Sequence, residues 1–170
     1  YNVSADPNDH AVAGSGSGGI CAFTAAWYRP GAVHRVLSCK GSFTDLRGGH
    51  EYPGLIRKTE HKPLRIFMQD GRNDQSIYSG NWFIANQDVA SALQYAAYEV
   101  NFVAETGGHD SHQSAAVLSG AMRWLWKDWP KAVGEVESKP VRRYINEILD
   151  PGHDWELVSD NQRSSDNLGV

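Results

Sequence analysis

The stretch Ala11-Val12-Ala13-Gly14-Ser15-Gly16-Ser17-Gly18-Gly19 constrains the fold more than any other in the 170 residues. A short apolar run ends in alternating glycines, and Ile20, Phe23 and Trp27 then recur at i, i+3, i+7, the spacing of one helix face. The pattern reads as a strand, a tight turn and a helix. The same alternation continues. Val33 to Ser38 is a second strand candidate, and Leu64-Arg65-Ile66-Phe67-Met68, set between Pro63 and Gly71, is a third. Val89, Leu93 and Ala97 have helical spacing, Val100 to Ala104 reads as a fourth strand, and Leu118, Met122 and Leu125 mark a last helix ending near Pro130. Strands that alternate with helices predict an α/β fold, a mainly parallel sheet with helices on both faces.

A hydrophobic fraction of 41% suits one domain with a core, and a net charge of -4 offers no basic face for a phosphate backbone. Nucleic acid is therefore not an expected partner. No apolar run approaches a membrane span, so no membrane partner is expected either. Cys21 and Cys39 are isolated thiols without metal-type spacing, and no metal or other cofactor is implied. Beyond Pro130 the chain becomes charged, weakly periodic and finally polar. The expected domain is residues 1–130, with 131–170 as a linker or tail.

The glycine-rich turn has the form of a nucleophile elbow, in which a strained backbone between strand and helix lifts a serine hydroxyl clear of the sheet. With Gly14 and Gly18 as the outer glycines, the nucleophile position falls on Gly16. A second register centres on Ser17, with Ser15 and Gly19 outside it, and a phosphate-cradling turn is the non-catalytic reading. In the hydrolase arrangement an acid and a histidine follow on loops after later strands. The third strand leads into Gln69-Asp70-Gly71-Arg72-Asn73-Asp74 and the fourth into Gly107-Gly108-His109-Asp110. Asp74 and His109 fit the two roles, with Asp70 and His112 as the alternatives. The pair His109-x-x-His112 could ligate a metal but lacks a partnering carboxylate motif.

These stretches, with Gly18-Gly19-Ile20-Cys21-Ala22-Phe23-Thr24-Ala25-Ala26-Trp27, Leu64 to Gly71 and Arg123-Trp124-Leu125-Trp126, resemble the esterase family of α/β-hydrolases. That family includes enterochelin-esterase-like and feruloyl-esterase-like enzymes of carbohydrate esterase type. The resemblance implies an α/β-hydrolase fold, serine acyl transfer on a small-molecule ester, Asp74 as acid and His109 as base. It also implies Ser17 as the residue whose backbone N–H helps form the oxyanion hole. It fixes the register as well, placing the family's serine at residue 16, where this chain has glycine. The expected activity is carboxylic-ester hydrolysis, impaired by that glycine. The alternative is a ligand-binding or scaffold module that keeps the fold.

Family members carry further strands before the elbow, so the resemblance implies that N-terminal strands are missing from this chain. The sheet would then be completed by that segment or by a second copy in a homo-oligomer. The resemblance leans toward a secreted or periplasmic setting, and Asp150 to Val158 resembles the lead-in to a gluconolactonase-type β-propeller. Two further residues are candidates to line the substrate pocket: Phe43, after the second strand, and Trp82, after the acid loop, for which burial as a helix-packing anchor is the alternative.

Overall fold

The computed structural model describes residues 2–134, so the tail and its propeller-like stretch lie outside the described residues. Four parallel strands form the sheet: β1 (Ala11–Ser15), β2 (Arg35–Cys39), β3 (Arg65–Gly71) and β6 (Glu99–Glu105), in the order β1-β2-β3-β6. Four helices connect or follow them: α1 (Ser17–Tyr28), α2 (Tyr52–Lys58), α3 (Trp82–Tyr95) and α4 (Ser111–Leu125). A two-stranded ribbon of β4 (Ser76–Ile77) and β5 (Gly80–Asn81) sits between β3 and α3.

Strand side chains point alternately to the two faces, and each face has its own core. Val36, Ile66 and Met68 pack with Phe23 and Trp27 of α1, Ile56 of α2 and Val89 and Leu93 of α3. Leu37, Cys39 and Phe67, one residue out of phase, pack with Ala121 and Leu125 of α4. Each of β2 and β3 is therefore buried along its whole length, which is why Val36-Leu37 and Ile66-Phe67-Met68 are apolar at consecutive positions.

The last helix faces the sheet differently from the sequence expectation. Leu118 and Met122 are exposed, and the inward face is Ala121 and Leu125. The large apolar residues of α4 do not form one stripe, because close approach to Leu37 and Phe67 selects a small residue at position 121. Ala97, expected on the α3 stripe, lies past the helix end at φ +61°. The ordered domain also continues beyond Pro130, since Val133 is buried and its N–H donates to Asn8 Oδ1 at 3.1 Å.

Two buried arginines fix the far end of α4. Arg35 Nε donates to the Leu125 carbonyl at 2.8 Å, and Arg65 Nη1 donates to the carbonyls of Leu125 and Lys127 at 3.2 and 2.7 Å. A helix C-terminus leaves carbonyls without intrahelical partners and carries partial negative charge, so guanidinium groups satisfy both deficits. The two arginines thus hold α4, and the loop that precedes it, against the start of β2 and β3.

Candidate active site

The functional side chains lie at the carboxyl ends of the strands, where such sheets place their crevices. Gly14 at the end of β1 approaches the first turn of α1 so closely that a Cβ there would stand 2.0 Å from the Gly18 carbonyl oxygen. Only hydrogen fits at residue 14, whereas a Cβ on Gly18 would meet nothing within 4 Å. Between them Gly16 has φ +59° and ψ -122°, a conformation that residues with side chains rarely adopt. Its N–H donates to the Cys39 carbonyl at 2.9 Å, and its carbonyl accepts from Gly19, Ile20 and Ser42. The strained residue is thus held from three sides. Ser17 and Gly18 open α1, where amides have no carbonyl one turn back to bond.

The acid and histidine loops are tied to each other by backbone bonds. Arg72 N–H donates to the Glu105 carbonyl at 2.7 Å, and Asn73 N–H to Gly107 at 3.1 Å. This brings His109 Nδ1 to 2.7 Å from Asp74 Oδ1, with the Asp74 side chain fully buried and that of His109 29% exposed. The other ring nitrogen faces the elbow. A Cβ built on Gly16 would lie 3.5 Å from His109 Nε2 and 4.0 Å from Cε1. One bond beyond that Cβ, an oxygen falls within hydrogen-bonding reach of Nε2. An imidazole held at Nδ1 by a buried carboxylate can take a proton at Nε2 and return it.

The other sequence candidates fall elsewhere. Asp70 is buried beside Asp74 and does not meet His109; its Oδ1 accepts from the Gly71 N–H at 2.7 Å. Asp110 caps α4 through the His112 N–H at 2.9 Å, and His112 stands in the first turn of that helix. Among the described residues no group of three or more His, Cys, Asp or Glu is placed to share a metal ion. Phe43 is a core residue, packed edge-on against Phe23 and Tyr52 at ring separations of 5.7 and 5.6 Å. It does not face the crevice as expected, because the chain turns inward after Gly41. Trp82 is also buried; its indole lies edge-to-face with the His109 ring at 6.1 Å, and its Nε1 donates to Ser42 Oγ at 3.3 Å.

Beside the elbow a cleft of about 430 Å³ is lined by Ser17, Ile20, Cys21, Thr24, Arg47 and Tyr52, among others. Its floor is apolar, while Arg47 adds a cation and Tyr52 a phenol bonded to Thr24. Sequence reasoning did not identify this cleft, since Tyr52 and Arg47 reach it from a helix and a loop with no recognisable motif. Asn86 was missed too; its amide donates to the carbonyls of Gly41 and Trp82 at 2.8 and 3.0 Å.

No family model matches the sequence, and no curated protein matches it. Solved structures do. Enterobactin esterase from Shigella flexneri is 26% identical with a TM-score of 0.60, over 73% of this chain and 33% of that one. A ferulic acid esterase (16% identity, TM-score 0.60) is covered over 53% of its length, and S-formylglutathione hydrolase from Staphylococcus aureus (14%, TM-score 0.56) over 54%. The chain thus spans between a third and a half of the proteins it resembles. All three are esterases or hydrolases whose shared architecture is the mainly parallel sheet with helices described above.

Proposed function

We propose that this chain, which has the fold of the esterase-type α/β-hydrolases, carries the acyl-transfer site of a carboxylic ester hydrolase in a form that lacks its nucleophile. The observation that carries this reading is the placement of His109: Nδ1 on buried Asp74 and Nε2 turned to the position where a side chain on residue 16 would stand. In acyl transfer the residue-16 oxygen would attack the ester carbonyl while His109 takes its proton. The carbonyl oxygen, becoming negative, would meet the free amide of Ser17 at the start of α1. His109 would then return the proton to the departing alcohol, and water would repeat the sequence to release the acid. Gly16 has no oxygen to begin it. What remains is binding, amide donors and a base, which in serine hydrolases stripped of the nucleophile leave on the order of 10³ to 10⁴ over the uncatalysed rate.

The cleft beside the elbow suggests the ester class. Its volume is within the range of small-molecule sites, and an apolar floor with one guanidinium and one phenol suits a flat aromatic acid bearing polar substituents. Structures of the Shigella flexneri esterase were determined in the presence of 2,3-dihydroxy-N-benzoyl-serine, an acid of that kind. Aromatic and carbohydrate-linked esters are therefore the substrates to try.

The glycine itself favours a second reading, a binding module that has kept the crevice and given up turnover. Hydrolysis of a chromogenic aryl ester separates the two. On the first reading the natural chain is nearly inactive, Gly16→Ser gains turnover, and His109→Ala removes that gain. Tight binding of esters with no gain from Gly16→Ser supports the binding module. Turnover by the natural chain that survives His109→Ala refutes both.

A further inference from the structure

Behind Asp74 lies a second carboxyl that the reaction above does not use. Asp70, one residue from the end of β3, is completely buried and neighbours the buried Asp74. Three buried oxygens here have no donor among the described residues: Asp70 Oδ2, Asp74 Oδ2 and Asn86 Oδ1. Two carboxylates cannot share such a place with both charges intact, and buried acceptors without a donor are costly. A single proton removes one of the two charges and joins two of the three oxygens, those of Asp70 and Asp74.

We propose that Asp70 is a positioning residue, held as the neutral acid, whose proton bridges to the second oxygen of Asp74 and so fixes the carboxylate that orients His109. The proton belongs on Asp70 and not on Asp74, because Asp74 has the imidazole on Oδ1 to stabilise its charge, together with the Gln75 N–H at 2.5 Å. Asp70 has only the Gly71 N–H among the described residues. Burial first, then the neighbouring Asp74, push the Asp70 carboxyl up to about 8. The ionisable groups around it are few. Cys39 on β2 is a thiol raised by burial, and Lys40 beside it donates to the Asp110 carbonyl. Beyond Asp74, His109 completes the set. Asp70 thus leaves Asp74 the only buried anion facing the ring among the described residues.

The positioning role rests on the ester-hydrolase reading, but the protonation does not, so the test measures the proton directly on the full chain. Carbon-13 NMR of carboxyl-labelled aspartate, with Asp70→Asn to assign the signal, reads the ionisation. The expected result is a protonated Asp70 signal at pH 6 that titrates near pH 8. An ionised signal at pH 6 overturns the proposal. The second readout is the downfield Nδ1 proton of His109, followed through the same titration. As Asp70 ionises, this resonance should shift in the natural chain and stay in place in Asp70→Asn, whose amide still donates to Asp74. A resonance that moves equally in both, or in neither, means that Asp70 does not position the ring. No gain of ester turnover in Gly16→Ser, with the proton found on Asp70, would defeat the functional reading alone.

Discussion

At residue 16 the backbone and the chemistry make opposite demands. The elbow needs φ +59° and ψ -122°, which glycine adopts at little cost and serine only under strain of about 1–3 kcal/mol. Gly16→Ser is therefore expected to lower the unfolding free energy by that amount while raising ester turnover, and thermal denaturation beside a rate assay checks both. In that serine background Asp74→Asn should reduce kcat by roughly 10⁴, since the ring loses the acceptor that fixes its tautomer. Residues 74 and 109 stood out in the sequence as polar positions on loops after strands, whereas spacing left Gly16 and Ser17 both open at the elbow and only the family resemblance chose between them. Asp70 could be seen only as a competing acid. Its place beside Asp74 depends on the turn in which the Asp74 N–H donates to the Gly71 carbonyl at 3.0 Å, and no spacing rule announces that turn. Phe43 misleads for a related reason: an aromatic beside a crevice can turn into the core or out of it, and the choice is made by residues from other elements.

At the scale of elements, α4 is positioned by its two ends. Asp110 caps the N-terminus next to His109, and Arg35 and Arg65 hold the C-terminal carbonyls. Arg35→Ala should cost about 3 kcal/mol of stability, because it leaves the Leu125 carbonyl short of a charged donor and uncovers Trp126, over which the guanidinium lies at 4.4 Å. Chemical denaturation measures that loss. The four strands and three of the helices follow directly from periodicity, since buried parallel strands read as apolar runs and helices as stripes. Short α2 has too few turns to establish a stripe, and the β4–β5 ribbon is made of exposed residues with no apolar alternation to announce it. On α4 the inward face is set by how closely the helix must approach the sheet, a quantity that residue size alone does not encode.

For the whole molecule, the buried acid has a consequence in bulk stability. Folded Asp70 keeps its proton to about pH 8, whereas the unfolded chain releases it near 3.8. Between those values the folded state binds more protons, so this group makes stability fall as pH rises, by at most about 1.4 kcal/mol per pH unit. Asp70→Asn should flatten the slope, which denaturation midpoints from pH 5 to pH 8 would reveal. The sheet order β1-β2-β3-β6 sets the elbow on one edge strand and the histidine loop on the other, and the loops close over the two central strands between them. Everything argued about function depends on that closure. Treatment with an electrophilic aryl phosphonate, followed by peptide mass spectrometry, tests it most directly. The account predicts no label on the natural chain, a label on residue 16 of Gly16→Ser, and loss of that label when His109→Ala is added. A label on Ser15 or Ser17 of the natural chain, or an unlabelled Gly16→Ser, would contradict it.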